Sequence, residues 1–301
     1  VGDNTFIIKT LAENGDEKTY TVKVNRKKSA SLLKNEIMEN KIITTAPTLT
    51  TTSLEAGDED GLYVSTATNS GEPTYYFRGN VTNNYVSFAG QTWRIVRINE
   101  DGTIRMIMQD GINNNATYQF NSNYNNYKYM YYSNSQAKTT LENWYKTNIE
   151  SKTDLANKVA SGDYYCEQAK AKYTSGYTSG SATMTTYESY APDFKCSTDG
   201  NGKGLVNASI GLLSYDEAIY SGGYYGKSNS NYYLYNSNIY WWTMSPAGFS
   251  GSGSGVWPVT TTGGININGV NRTFAFRAVL NLKSDVQATG TGTSSDPFII
   301  K

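Results

Sequence analysis

Short alternating runs of apolar and polar residues dominate the chain. Residues 5–10 (Thr-Phe-Ile-Ile-Lys-Thr) and 19–26 (Thr-Tyr-Thr-Val-Lys-Val-Asn-Arg) have strand spacing, and the turn-rich Ala12-Glu13-Asn14-Gly15-Asp16 between them predicts a hairpin. A lone hairpin is marginal in water, so it either packs on the rest or is the remnant of an upstream domain. Residues 29–40 place Leu32, Leu33 and Ile37 at helical spacing and predict a short helix. A Thr-rich stretch, 44–53, then runs into the acidic Glu55-Ala56-Gly57-Asp58-Glu59-Asp60-Gly61 and reads as a linker or strap. Its carboxylates lack the regular oxygen-ligand spacing of a calcium loop, which favours a solvated turn.

From Gly61 onward the pattern is that of a compact β-rich domain. Strands are predicted at 62–66, 73–78, 85–88, 92–98 and 103–109, and the Asn99-Glu100-Asp101-Gly102 turn makes a hairpin of the last two. Helices are predicted at 138–149, where Leu141, Trp144, Tyr145 and Ile149 share a face, and at 215–221, where Ser214 and Glu217 form a capping box. Segment 112–135 is rich in Asn, Tyr and Ser without periodicity and reads as a long ordered loop. Sheet returns at 239–244, 256–261, 264–267, 274–282 and 298–300. The class is α+β: a β-rich domain over 61–301 with two short helices and long ordered loops. The N-terminal hairpin (1–28) and a linker with a short helix (29–60) precede it.

Composition narrows the chemistry. With 301 residues and 38% apolar content the chain can bury a substantial core. Twenty-six Lys and Arg balance 26 Asp and Glu, so no field gathers phosphates, and nucleic acid is not an expected partner. No apolar run reaches the roughly 18–20 residues of a membrane helix, so no membrane insertion is expected. There is no histidine, the usual general acid/base and commonest metal ligand, which removes the ordinary triads and zinc sites. Two cysteines, Cys166 and Cys196, are too few for a thiolate cluster; a disulfide is the natural reading and two separate buried thiols the alternative. A disulfide would imply an oxidising compartment, hence an extracellular or cell-surface location. Tyrosine is abundant, 26 against 9 Phe. It suits either a paratope-like binding surface with Ser, Gly and Asn, or the outer faces of many strands.

Several segments together carry a resemblance: Tyr76-Phe77-Arg78-Gly79-Asn80, Trp93-Arg94-Ile95-Val96-Arg97, Gly211-Leu212-Leu213-Ser214-Tyr215-Asp216-Glu217-Ala218, Trp241-Trp242-Thr243-Met244-Ser245-Pro246 and Arg277-Ala278-Val279-Leu280-Asn281-Leu282. Over 61–301 the chain resembles a family of domains of unknown function in surface proteins of gut Firmicutes, similar to the C-type-lectin and formylglycine-generating-enzyme folds. Residues 18–26 resemble the final strand of cadherin-like β-sandwich repeats, and 290–300 the ending of Gram-positive surface modules. The resemblance implies a C-type-lectin-like domain with paired terminal strands, two helices, and a long loop region leading into a small second sheet. Trp93, Trp241 and Trp242 would then be core residues, and Arg277 a buried hydrogen-bonding anchor. The chain departs from two relatives. The Glu-Pro-Asn or Gln-Pro-Asp triplet and Trp-Asn-Asp run of calcium-dependent sugar-binding lectins are missing. The cysteines lie mid-chain rather than late in the fold, unlike the copper-binding pair of formylglycine-generating enzymes.

The expected binding site is the Gly-flanked run from Ala247 to Asn271. Its candidate ligand contacts are Phe249, Ser252, Ser254, Trp257, Thr260, Thr262, Asn266, Asn268 and Asn271, with Phe249, Trp257, Asn266 and Asn268 expected exposed. In the variable proteins of diversity-generating retroelements, which share the lectin-like fold, the corresponding region contacts ligand. The other reading is a surface loop around a hairpin with Trp257 buried. No cofactor, metal or catalytic residue is expected. The sequence therefore points to a non-enzymatic adhesion module for a glycan or protein ligand. A spacer or stalk unit is the alternative, and a carboxylate-based glycoside hydrolase a more distant one.

Overall fold

The computed structural model describes residues 2–26, 29–47, 49, 60–167, 192–196, 204–250 and 253–301. The N-terminal strands are β1 (Gly2–Leu11) and β2 (Glu17–Arg26), paired antiparallel with Phe6 opposite Val22 and Ile8 opposite Tyr20. Directly opposed residues share a face, so these four side chains form one apolar face. All four are exposed, and the hairpin is a sheet of its own. Of the two alternatives, packing of this face on the rest of the chain is not seen among the described residues.

Next come β3 (Ser31–Leu32), α1 (Leu33–Met38) and β4 (Ile42–Ile43). Leu33 and Ile37 are buried as the helical spacing predicts. Leu32 is not: it precedes the helix, pairs with Gln287 at a sheet edge and is exposed. The strands β5 (Gly61–Ser65), β6 (Thr74–Arg78), β7 (Tyr85–Phe88), β8 (Gln91–Ile98) and β9 (Ile104–Met108) fall within a residue or two of their predicted positions. The segment expected as loop contains β10 (Thr117–Gln119) and two single-turn helices. Its Asn113-Asn114-Asn115 run takes left-handed backbone, φ 51°, 57° and 64°, a conformation asparagine tolerates better than most residues.

Helix α2 (Gln136–Tyr145) starts at Ser135, whose hydroxyl accepts the Lys138 N–H, and one π-type turn carries it on to Glu150. Its predicted face of Leu141, Trp144, Tyr145 and Ile149 is buried. The strands β11 (Val159–Ala160), β12 (Gly162–Cys166) and β13 (Leu205–Ala208) precede α3 (Tyr215–Ser221). Helix α3 has the predicted capping box: the Glu217 N–H donates to Ser214 Oγ, and the Ser214 N–H to Glu217 Oε2 at 3.0 Å. The remaining strands are β14 (Tyr224–Tyr225), β15 (Trp241–Ser250), β16 (Gly253–Val259), β17 (Gly264–Ile265), β18 (Asn268–Gly269), β19 (Thr273–Ala275), β20 (Val279–Leu282), β21 (Gln287–Thr289) and β22 (Phe298–Ile300).

Two larger sheets result. One runs β11-β20-β9-β8-β7-β22-β21-β3, with β6, β5 and β4 continuing from the far half of β8; the other runs β10-β19-β15-β16-β17-β14, with β18 on β16. The chain is thus a β-rich α+β protein with few short helices. The predicted strand 274–282 is broken, because Phe276-Arg277-Ala278 hands the chain from the smaller sheet to the larger. Arg277 sits fully buried at the crossing, donating from Nε to Met108 O (2.9 Å) and from one terminal nitrogen to Leu234 O (2.7 Å). Burial lowers its pKa to about 10, and Trp241 lies under its guanidinium. The buried anchor and the core positions of Trp93, Trp241 and Trp242 are as expected.

Many of the described tyrosines are buried, a placement that composition does not suggest. Among the described residues only Tyr20, Tyr124 and Tyr225 are exposed, whereas Tyr165, Tyr232 and Tyr233 lie in the core. Each of these three buried hydroxyls has a partner, for example Tyr232 to Gly263 O at 2.9 Å and Tyr233 with Ser221 Oγ at 2.8 Å. Desolvation pushes all three phenols well above their usual range, so they stay protonated as donors.

Cys166 and Cys196 form the disulfide, with Cα atoms 5.4 Å apart. It closes a loop of 30 residues in sequence, worth about 3–4 kcal/mol by loop-closure entropy. The double Cys→Ser variant should lose about that much in a denaturant titration. An unchanged midpoint would mean that the 166–196 loop lies outside the cooperative unit.

Candidate functional site

Two of the concavities that the described residues line hold about 390 Å³ each. One lies on the predicted binding run. Phe249, Ser254, Asn268 and Asn271 line it together with Tyr124 and Ile267. Its floor approaches its walls closely, since a Cβ at Gly253 would stand 3.1 Å from the Tyr124 ring and one at Gly255 3.1 Å from Ile267. The glycines keep the groove open. The 120s loop is stapled beside it: the Ser254 N–H donates to Tyr124 O (2.7 Å) and Ser254 Oγ to Asn126 O (2.5 Å).

The other predicted contacts divide. Thr262 and Asn266 are exposed but outside the groove, Thr260 is buried, and Ser252 lies outside the described residues. The expected exposure of Phe249 and Trp257 is corrected, since they are 2% and 3% accessible. Trp257 sits on β16 paired with β15 and packs between Tyr215 (centroids 4.7 Å apart) and the edge-on Tyr225 (5.1 Å). The run is a hairpin with Trp257 buried. Tyr124 and Ile267, each exposed, were not singled out by the sequence reading. For Tyr124 no local signal exists, because it reaches the groove from 130 residues upstream of Ser254.

The second concavity has no counterpart in the sequence reading. Arg97 on β8 and Arg105 on β9 are directly opposed across the strands. Like charges so placed repel, and Glu217 from the first turn of α3 resolves this. Its Oε1 lies 3.1 Å from Arg97 Nε and 2.6 Å from Arg105 Nε; the second contact is ionic without an aligned hydrogen bond. One carboxylate thus caps a helix and bridges two strands. Burial alone would raise the Glu217 pKa, but Arg105, Arg97 and the Ser214 N–H outweigh it and hold the carboxyl below its usual range. Outside this triad the cleft is walled by the disulfide and by segment 193–196. Phe194 pins that segment by stacking on Tyr220 (4.3 Å), and the Phe194 N–H donates to Ala67 O. The available signal was two arginines inside otherwise apolar strands, Trp93-Arg94-Ile95-Val96-Arg97-Ile98 and Ile104-Arg105-Met106-Ile107-Met108.

Glu217 and Asp101 both line the cleft, and both are shifted downward: at Asp101, bonds from Thr103 and Tyr164 outweigh partial burial. Neither is a proton donor at neutral pH, as the general acid of a glycosidase must be. Among the described residues no group of three or more Cys, Asp or Glu side chains could hold a metal ion, and no helix is long and apolar enough to cross a membrane. The acidic run at 55–59 lies outside the described residues. No family model, curated protein or solved structure matches this chain, and its chemistry is read from its own geometry.

Proposed function

We propose that this chain is a non-enzymatic ligand-binding or adhesion module of a secreted or cell-surface bacterial protein, acting without a cofactor through the groove at Tyr124, Asn268 and Asn271. The observation that carries the reading is that groove: an exposed aromatic ring beside two accessible amides, over a floor that glycines keep clear of side chains. Rings stack on apolar sugar faces while amides bond hydroxyls, so a glycan is the favoured ligand and a protein surface the other. The disulfide accords with an oxidising, extracellular setting. A C-type-lectin-like architecture for 61–301, and with it kinship to retroelement-diversified proteins, rests on the sequence resemblance. The larger sheet, the few short helices and the smaller sheet are compatible with it.

The test is a glycan and surface-protein array with the native chain beside Tyr124→Ala/Asn271→Ala. Both substitutions are at exposed side chains, so the variant should melt like the native chain. The expected outcome is a defined ligand bound by the native chain and weakened at least about tenfold in the variant, on the scale of the ~1–3 kcal/mol that an aromatic stacking platform contributes per nucleobase. If neither binds anything, the spacer or stalk reading replaces this one.

A further inference from the structure

The disulfide-walled cleft is acidic, and its acidity is not internally balanced. Carboxylates outnumber cations among its lining residues by seven to three. Two of those cations, Arg97 and Arg105, are already committed to Glu217. At the rim, Glu100 is oriented by Ser70, whose N–H (3.1 Å) and Oγ (2.9 Å) both donate to Oε1. Asp101 is oriented by the Thr103 N–H (2.9 Å) and by the Tyr164 hydroxyl (2.8 Å), and Asp163 projects into solvent. None of Glu72, Glu100, Asp101 and Asp163 is ion-paired among the described residues.

An acidic rim alone is ordinary surface. A second observation lies deeper. Asn99 lines the same cleft and is 5% exposed; its Nδ2 donates to Thr103 Oγ1 (2.8 Å) and Asn281 Oδ1 (2.9 Å), while its Oδ1 has no hydrogen-bond partner. A buried carbonyl oxygen without a donor costs free energy until one arrives. Phe194, Leu205 and the disulfide add apolar surface to the lining of the same cleft. Exposed carboxylates, a buried acceptor without a donor and apolar surface in one cleft match a donor-only cation on an aliphatic stem. The described carboxylates form no metal-binding group, which separates this chemistry from a cation such as calcium.

We propose that this cleft binds an ammonium or guanidinium group carried on an aliphatic stem, as on lysine, arginine or a diamine. The rim carboxylates attract and orient the charge, and Asn99 Oδ1 accepts one of its protons. This is a second site, independent of the Tyr124 groove.

The test uses the full chain and four probes in calorimetric and amide-NMR titrations: Nα-acetyl-lysine methylamide, the arginine equivalent, 1,5-diaminopentane, and the uncharged Nα-acetyl-norleucine methylamide. The lysine or arginine probe, or the diamine, should bind at least about tenfold more tightly than the norleucine probe, and more weakly at ~0.3 M than at ~0.02 M salt. Amides around 99–101 and 163–164 should shift, and those at 124 and 268–271 should not. A diamine preference assigns the site to free polyamines; preference for an acetylated probe assigns it to a peptide side chain. Glu100→Gln/Asp163→Asn removes two rim charges without touching the core, and should weaken the cation about fivefold at unchanged melting temperature. Equal binding of the norleucine probe, no binding of any cation, or an affinity unaltered in the rim variant would overturn the proposal.

Discussion

Glu217→Gln should lower the stability of the folded chain by about 3–5 kcal/mol, with a fall in melting temperature on the order of 10 °C. The substitution keeps the shape and can keep the helix cap, since glutamine also serves at that position of a capping box. What it removes is the single charge between Arg97 and Arg105, opposed in register and both buried. The expected loss is therefore that of an uncompensated buried pair of cations. Combining Glu217→Gln with Arg105→Met should cost less than the sum of the two, because the second change removes part of the repulsion the first exposes. Strict additivity would show that the three groups do not act as a unit.

The same group sets a pH dependence. Because the folded chain holds the Glu217 carboxyl below its ordinary value of 4.5, the unfolded chain takes up this proton first as pH falls. The stabilisation is complete above that ordinary value and is lost as pH drops through the folded one. Asp101 shifts in the same direction. The urea midpoint of the native chain should thus fall between about pH 5 and about pH 3, and more shallowly in the Glu217→Gln variant.

Trp257→Ala should cost about 3–5 kcal/mol and behave as a core truncation. The indole is 3% accessible between Tyr215 and Tyr225, and the carbonyl of the same residue accepts the Thr243 hydroxyl at 2.6 Å. A side chain that merely stacked on a ligand would leave the unfolding midpoint unchanged when truncated. Fluorescence offers an independent check. All five tryptophans are 7% accessible or less, so native emission should be blue-shifted and resist iodide, and unfolding should reverse both. Strong quenching of the native protein would contradict the packing of the smaller sheet.

Much of the fold was legible because its determinants are local. The capping box at Ser214 spans three residues, and the predicted face of α2 repeats within two turns. Strands β5 to β9 alternate or run apolar between turns their own residues specify. The disulfide followed from there being only two cysteines. The break at 276–278 was not legible: apolar residues continue on both sides of Arg277, and what anchors its guanidinium, Met108 O and Leu234 O, comes from distant parts of the chain. The candidate sites divide in the same way. Asn268 and Asn271 flank the glycines that drew attention to them, whereas Tyr124 comes from a distant loop and Glu217 meets Arg97 from 120 residues away.

The sequence by itself determined the β-rich class, most strand and helix positions, the helix cap and the disulfide. These depend on spacing, on turn chemistry and on an inventory of residue types. The tertiary structure alone decided which way a side chain faces where its own chemistry permits both. It placed Trp257, Phe249 and many described tyrosines in the core, opposed Arg97 to Arg105 across Glu217, and brought Tyr124 to the groove. The reason is physical. Tyrosine and tryptophan have one apolar body and one polar tip, so their own chemistry permits either side of a sheet. Burial is then set by what packs opposite, and that partner lies far away along the chain.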